Sequence, residues 1–537
     1  MSYLHKNLAD GRWFKMSFFN QMANIGSEIG RAVSWREKNS EYGRQALERG
    51  LELLDLTISD TRNKLRLKEL CRLREILVDH FVFDNDYHST DKQWQGYFYA
   101  FNFDMDLKFI RQNKELVIDG CRKKRVKVDI EKIIRLDEER RAVMQKIENF
   151  RAEQNEASRR CGVLRSQGAK EDKISKKPSP EEINKLKQIK IETKKLELRL
   201  EKLEVELNGL VKMVPNMPLA EVPVGQSEAD NVVLREMGQK PKFNFQPKDY
   251  LVLNEKLDLI DTERAAKVAG SRFGYLKNEA ALLEFGLIGL ALETLLKQGF
   301  VPVVPAVMIN EKAMSAMGYI DRGGDEIYKT QDDLYLVGTS EQSIGPMHLD
   351  EIFADKDLPR RYVSFSTCFR REAGSYGKDV RGIMRVHQFD KMEMFIFCRP
   401  EESVKEHQLL LSSEEKLMQL LKIPYRVVDN CTGELADPSA ATYDIEAWMP
   451  GQNNGQGQYR ETHSTSNCTD FQAQRLNIRY RDKNSQTNFV HTLNGTAFAM
   501  GRTIIAIMEN YQQKDGSIAV PKVLQKYIKI KKIFSRP

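Results

Sequence analysis

STCFRREAGSYGKDVRGIMRVHQFDKMEMFIF, residues 366–397, is the stretch that decides the fold. Two short β-rich runs flank a charged, Gly-rich segment, the pattern of two antiparallel strands joined by a loop. Arg370 and Glu372, two apart, are expected on one face of the first strand, and Arg385, Phe389 and Glu393, at steps of four, on one face of the second. Two arginines, an aromatic ring and two carboxylates on one surface suit a nucleotide site: Arg for phosphate, Phe for a base, carboxylates for an amine or a metal. Taken alone, the stretch also fits a solvated face laced with ion pairs.

Outward from this pair, residues 215 onward mix short β-rich runs (FVPVVPAVM, LYLVGT, YVSFSTCF, MEMFIFC, YRVVD, TYDIEAWM, NFVHTLNG) with helices expected at 277–297, 401–422 and 502–511. Several strands follow one another directly, which favours an antiparallel α+β domain over a doubly wound parallel sheet. No GxGxxG follows a first strand and no GxxxxGK[ST] occurs, so a bound nucleotide needs another device for its phosphates. Pro215, Pro218 and Pro223 mark a linker at the start of this region.

Before the linker lies the clearest periodicity in the chain. Leu136, Val143, Ile147, Phe150, Ala157, Cys161 and Leu164 fall at heptad-compatible steps, as do Leu186, Thr193, Leu196, Leu200, Leu203, Leu207, Leu210 and Val214. RSQGAKEDKISKKPSPEE between them holds Gly168, Pro178 and Pro180 and breaks the helix midway, so an antiparallel hairpin of about 50 Å is expected, with a dimerising coiled coil as the alternative. Residues 105–214 carry 29 Lys/Arg against 20 Asp/Glu, whereas residues 1–104 carry 15 of each. The basic excess of a chain with net charge +7 therefore sits on this arm, and a polyanion is its expected partner.

Residues 1–104 read as a small helical bundle through SFFNQMANIGSEIGRAV, RQALERGLELLDLTISD and LKELCRLREILVDHFVF. Its closing WQGYFYAFNF is read as bundle core, with an RNA-stacking platform as the alternative. At 537 residues the chain holds several domains, expected as 1–104, 105–214 and 215–537. With 30% charged and 41% hydrophobic residues it is neither disordered throughout nor polytopic, and no apolar run reaches the roughly 20 residues needed to span a bilayer. Seven scattered cysteines without a CxxC pair argue against a disulfide framework and a zinc finger. A cytoplasmic location is expected.

FRRE, a loop and then RVHQF resemble motif 2 of the class II aminoacyl-tRNA synthetases, in detail that of seryl-tRNA synthetases. Pro305 stands where motif 1 has its proline, and LNGTAFAMGRTIIAIMENYQ resembles motif 3 with Arg502 at its arginine. GSRFGYL, GTSEQ and YRETHSTSNCTDFQAQR follow the seryl pattern in order, and the likeness runs from near Met105 to about residue 527. The resemblance implies an antiparallel-sheet class II catalytic domain, preceded by a tRNA-binding coiled-coil arm and an added all-α bundle. It also implies an ATP-dependent, AMP- and diphosphate-forming ligase that makes seryl-adenylate and transfers serine to tRNA(Ser).

Carried over by motif, Arg370 and Arg502 are the catalytic arginines, and the ATP site comprises Arg370, Arg371, Glu372, Arg385, Phe389, Glu461, Thr462, His463, Ser464 and Arg502. Arg370 is expected at the α-phosphate and Arg385 at the tail phosphates, with Phe389 and Arg502 on opposite faces of adenine. Glu461 and Ser464 are the implied magnesium ligands, hard oxygens that suit this ion. Thr339, Ser340, Glu341, Glu393, Asn494 and Thr496 are the implied serine site, with Glu393 at the amino group. Ser340, Thr496 and THSTS at 462–466 depart from the commoner Ala, Ser and ISSCS, but each keeps a small or hydroxylated residue. The implied cofactors are ATP and Mg2+ without zinc; the implied partners are L-serine, tRNA(Ser), a selenocysteine tRNA left open, and a second copy of the chain. A silent RNA-binding protein on this fold and a ligase that charges a carrier protein are the rivals. Intact Arg370, Glu372, Glu461 and Arg502 speak against the first, and the basic arm against the second.

Overall fold

The computed structural model describes residues 13–15, 18–36, 39–87, 89–91, 94, 107–166, 180–373, 381–483 and 486–535. The chain divides into two compact units, with the main cut between Asp104 and Met105. In the first, helices α1 (Phe18–Trp35), α2 (Ser40–Ser59) and α3 (Leu67–Val82) bury Met22, Ile25, Ile29, Leu47, Leu54 and Leu77 in a common core. Asn39 starts α2 by accepting the Tyr42 N–H on its side chain. Two of its buried polar groups are answered internally: the Trp13 indole donates to Thr57 Oγ1 at 3.0 Å, and the Gln21 amide donates to Asp60 at 2.8 Å. Trp94 joins this core, as expected for bundle aromatics; residues 95–103, the rest of that run, lie outside the described residues.

The second unit begins with two short helices, α4 (Leu107–Gln112) and α5 (Lys114–Lys123), then the long α6 (Ile130–Ser166) and α7 (Pro180–Lys212). With 37 residues, α6 is about 55 Å long. Lys132 pairs with Glu206 at 2.6 Å, Glu139 with Arg199, and Glu153 with Lys185, so each step up one helix is matched by an equal step down the other. The two helices are antiparallel, and their seam buries Ile133, Leu136, Val143, Ile147, Leu203, Leu207 and Val211. The breaker at 167–179 and the side chains of Ala157, Cys161 and Leu164 lie outside what is described.

The arm is fastened at its base. Asp137, fully buried on α6, receives Arg111 of α4, Arg140 at 2.8 Å and Arg141 at 3.2 Å. Just past α5, the buried Lys124 ammonium donates to the main-chain carbonyls of Asn216 (3.3 Å), Ala436 (2.7 Å), Asp437 (3.0 Å) and Ser439 (2.9 Å). A buried ammonium is tolerated only with such a set of acceptors.

The rest of the second unit is organised on one eight-stranded sheet. In chain order its elements are β1 (Val232–Met237), α8 (Asn278–Leu296), β2 (Val301–Val303), β3 (Arg360–Phe369), β4 (Gln388–Cys398), α9 (Ser403–Leu421), β5 (Tyr425–Asp429), β6 (Ala441–Met449), β7 (Gln458–Asn467), β8 (His491–Ala499) and α10 (Met500–Asn510). The strands lie in the order β1-β5-β6-β7-β8-β4-β3-β2, and every pair is antiparallel except β2 with β3. Along β4, Met392, Met394, Ile396 and Cys398 face a core that takes in Leu283, Leu287 and Leu290 of α8, Leu410 and Leu417 of α9, and Ile504 and Ile507 of α10. The alternate residues Lys391 and Glu393 point to the opposite side, where polar groups gather. The expected helices and β-rich runs are all present. The strand QYRETHSTSN, with one aromatic and no aliphatic residue, is one the hydropathy pattern did not mark.

Candidate active site

The two strands of the 366–397 segment are shorter than the sequence pattern implied. β3 ends at Phe369 and β4 starts at Gln388, so Glu372 and Arg385 belong to the connecting chain and not to the ladder. One more rung is made at Arg370, whose N–H donates to the His387 carbonyl at 2.9 Å; the backbone then turns, with Glu372 in the left-handed region at φ 51°. The turn brings Arg385 Nη1 within 2.7 Å of Glu372 Oε2, so two residues expected on the faces of separate strands meet as an ion pair across the loop. On the returning side Gly382 has φ 74°, and a Cβ there would meet the Tyr250 hydroxyl at 1.9 Å. That hydroxyl accepts from Ile383 N and donates to the Arg381 carbonyl, holding the loop exit. Residues 374–380 lie outside the described residues.

Arg370 lies over the Phe389 ring, 5.3 Å from its centroid, and donates to the Gly338 carbonyl at 3.2 Å. Arg371 is exposed beside it. Arg502, at the start of α10, donates to the Glu461 carbonyl at 3.0 Å and pairs with its carboxylate at 3.1 Å. Glu461 is exposed on β7; it gives up some hydration there, yet the Arg502 guanidinium holds its carboxyl below the usual range. Thr462 and His463 turn the other way: the Thr462 hydroxyl donates to the Ile445 carbonyl, and the His463 ring packs against Phe498 in the core. Burial takes His463 down to about 4 and keeps it neutral, so only the main chain of these two residues is available to a nucleotide.

Ser464 returns to the polar side opposite Asp444 of β6. A bulge in the β6–β7 ladder between Ile445 and Glu446 sets Glu461 and Ser464 on that one side. Burial, then the Glu461 charge, pushes the Asp444 carboxyl up; one of its oxygens accepts from Asn430 at 2.8 Å, and the other is buried without a hydrogen-bond partner among the described residues. Two carboxylates and a hydroxyl with an unanswered buried oxygen fit a magnesium ion that takes its remaining ligands from water and phosphate. Among the described residues no cluster of three or more His, Cys, Asp or Glu side chains stands ready to hold a metal.

The remaining predicted residues converge behind this cleft. Ser340 Oγ accepts from Ser364 at 2.7 Å, and Ser364 pairs in register with Glu393, which in turn faces Thr496 on β8. Glu393 is 1% exposed and ion-paired with Lys391. Thr339 and Glu341 are buried beside them, and Asn494 sits over Cys468, its amide 3.7 Å from the sulfur. Burial and the Glu393 charge push Glu341 up to about 7, against donors from Gln472 at 2.8 Å and Tyr319 at 3.1 Å. Lys391 answers the Glu393 carboxylate, whereas among the described residues no cation pairs with Glu341; the fully buried Glu414 feels the same Glu393 and Lys391 charges, and burial pushes its carboxyl up.

A model of the tRNA synthetase class II core domain (G, H, P, S and T) matches residues 326–511, and one of the seryl-tRNA synthetase N-terminal domain matches residues 105–218. The chain is 44% identical over 434 residues to the serine–tRNA ligase of Dictyoglomus turgidum, a match that takes in 80% of this chain and 99% of that one. The chain belongs to the seryl-tRNA synthetases. Another member, from Nitrosopumilus maritimus, is 42% identical over 426 residues, 79% of this chain and 98% of its own. Among solved structures, the seryl-tRNA synthetase of Pyrococcus horikoshii complexed with ATP gives a TM-score of 0.73 at 40% identity over 81% of this chain and all of that one. The cytoplasmic serine–tRNA ligase of Naegleria fowleri in complex with AMP gives 0.70 at 30%, with the same coverage. Both family models leave residues 1–104 unmatched.

Four side chains of this seryl-tRNA synthetase cleft escaped the sequence reading: Lys391, Asp444, Tyr319 and Gln472. Lys391 carried a signal, since it lies two residues from both Phe389 and Glu393 on one strand face. Asp444 had a weaker one, as one of two carboxylates in a β-rich run. Gln472 lies within the YRETHSTSNCTDFQAQR stretch, which gave it no role, and nothing in the local sequence marks Tyr319.

Proposed function

We infer that this chain makes seryl-tRNA, activating L-serine with ATP and passing the seryl group to the terminal adenosine of tRNA(Ser). The observation that carries the reading is the buried Glu341, which has hydrogen-bond donors but no cation of its own beside the Lys391–Glu393 pair: the ammonium of serine takes that place. Thr339, Ser340, Asn494 and Thr496 line the small space left for the hydroxymethyl group. A serine held there presents its carboxylate toward Arg370. One carboxylate oxygen attacks the α-phosphorus of ATP and the bond to the pyrophosphate oxygen breaks. Arg370 meets the negative charge that grows on the α-phosphate, Arg385 the tail phosphates, and Phe389 with Arg502 the adenine. Glu461, Ser464 and the neighbouring Asp444 would hold magnesium, which supplies charge neutralisation on the phosphates. In the second step a ribose hydroxyl of the tRNA attacks the acyl carbon, AMP departs, and its phosphate takes the hydroxyl proton.

The arm supports tRNA binding through its basic excess. A homodimer is supported by exposed apolar residues on α8 and beside the edge strand β2: Phe285 is 70% exposed and Val304 87%. A cytoplasmic setting and an appendage at 1–104 dispensable for catalysis complete the proposal. Its test is serine-dependent exchange of pyrophosphate into ATP, followed by charging of serine and selenocysteine tRNA transcripts. Exchange without charging would leave the first half-reaction alone standing, and the absence of exchange with serine overturns the reading.

A further inference from the structure

Glu341 already has two donors on it before any substrate arrives. The Tyr319 hydroxyl lies 3.1 Å from each of its oxygens, and Gln472 Nε2 lies 2.8 Å from Oε1. Gln472 cannot turn its amide over, because its own oxygen accepts from Thr492 Oγ1 at 2.8 Å. The sequence separations are 22, 131 and 20 residues, so the network is assembled by the fold and not by any local motif.

These donors oppose a hostile setting. Glu341 is 3% exposed; the ionisable groups acting on it and on Tyr319 are Glu393 and Lys391 from β4, Cys468, and Arg370 at the cleft. Desolvation and the Glu393 charge both favour the protonated acid, and a neutral carboxyl has little attraction for an ammonium ion. Hydrogen bonds donated to a carboxylate favour its charged form and fix its orientation.

We propose that Tyr319 is a positioning residue for the amino group of the substrate: its hydroxyl, together with the Gln472 amide, keeps Glu341 charged and aimed to receive the serine ammonium. The proposal rests on the reading of the Glu341–Glu393 pocket as the serine site. Tyr319 touches neither substrate nor nucleotide in this scheme and acts through the carboxylate alone.

The test uses the full chain and pyrophosphate exchange from pH 6 to 9, with Tyr319→Phe, Glu341→Gln and the double variant. Tyr319→Phe is expected to raise the serine KM about tenfold at pH 7 and leave the ATP KM unchanged. The acid limb of kcat/KM for serine should move to higher pH, because losing a donor raises the pKa of Glu341. In the Glu341→Gln background the Phe substitution should add less than about twofold, as expected for groups that act through one contact. A wild-type serine KM and acid limb in Tyr319→Phe, with Glu341→Gln impaired, overturns the role of Tyr319. A wild-type serine KM in Glu341→Gln overturns the pocket itself, a separate result. Should Tyr319→Phe fail to fold, Thr492→Val frees the Gln472 amide and must produce the same upward shift of the acid limb; an unmoved limb counts against the proposal.

Discussion

His407, on α9, offers a measurable link between burial and pH. Its ring is 4% exposed, donates Nε2–H to the Thr465 carbonyl at 3.1 Å and lies 5.0 Å from the Tyr443 ring centroid. Burial takes its pKa down to about 4, against about 6.5 in an unfolded chain. A depressed histidine pKa means that the folded state refuses a proton the unfolded state accepts. The stability is whole above about pH 6.5 and is lost as pH falls from there toward about 4. At pH 5 the difference amounts to about 2 kcal/mol, and at pH 7.5 to about 0.1 kcal/mol. Replacing His407 with Gln keeps a donor for the Thr465 carbonyl and removes the titration. The lost ring contact costs about 0.5–1.5 kcal/mol, the same at every pH. Because the chain holds two units, the fitting readout is amide exchange of α9 and β7, compared between variant and wild type at pH 7.5 and at pH 5.0. The variant should gain about 2 kcal/mol on the wild type between those two conditions. Parallel pH dependence, within about 0.5 kcal/mol, would refute the claim that the ring is held neutral by burial.

Arg370→Ala and Arg502→Ala are each expected to slow pyrophosphate exchange by about 10²–10³-fold with circular dichroism unchanged, and a wild-type rate in either would remove it from the cleft's chemistry. Glu461→Gln should shift a magnesium titration of exchange to higher concentration, since an amide holds the ion less well than a carboxylate; an unmoved curve puts the ion elsewhere. Shortening the arm by deleting residues 149–189, which removes its outer part in register and keeps the base packing of Ile133, Leu136 and Leu207, should spare exchange and abolish tRNA charging. Normal charging by that variant contradicts the arm's role. Phe285→Glu and Val304→Glu should each convert a dimer to a monomer in analytical ultracentrifugation, and an unaltered mass would mean that the exposed apolar face serves something else.

What could be read from the sequence depended on how far apart the cooperating residues lie. The strands β3 and β4 declare themselves because each is a β-rich run bounded by a charged, glycine-containing segment, and the arm because its seam repeats over many turns. Even the helix ends near 278, 421 and 510 follow from composition. β7 did not, because a strand that carries a site on one face and is flanked by ladders on both sides needs few aliphatic residues to stay put. The loop position of Glu372 and Arg385 was missed for a related reason: two-residue spacing predicts a shared strand face only while the backbone stays extended, and at Glu372 it does not. Tyr319 and Gln472 reach Glu341 from separate parts of the chain. No periodicity records such a meeting.

The Lys124 clamp also sets an order of events during synthesis. Its acceptors on Ala436, Asp437 and Ser439 are encoded more than 310 residues later in the chain. At the usual elongation rate of about 5–20 residues per second, those carbonyls leave the ribosome roughly 15–60 s after the lysine does. Through that interval the ammonium stays in water, and the base of the arm has only its own helices to pack against. The arm helices can pair on their own schedule, but the seam between arm and sheet closes only when translation is nearly complete. The nascent chain therefore carries the paired arm helices well before the sheet behind them is complete.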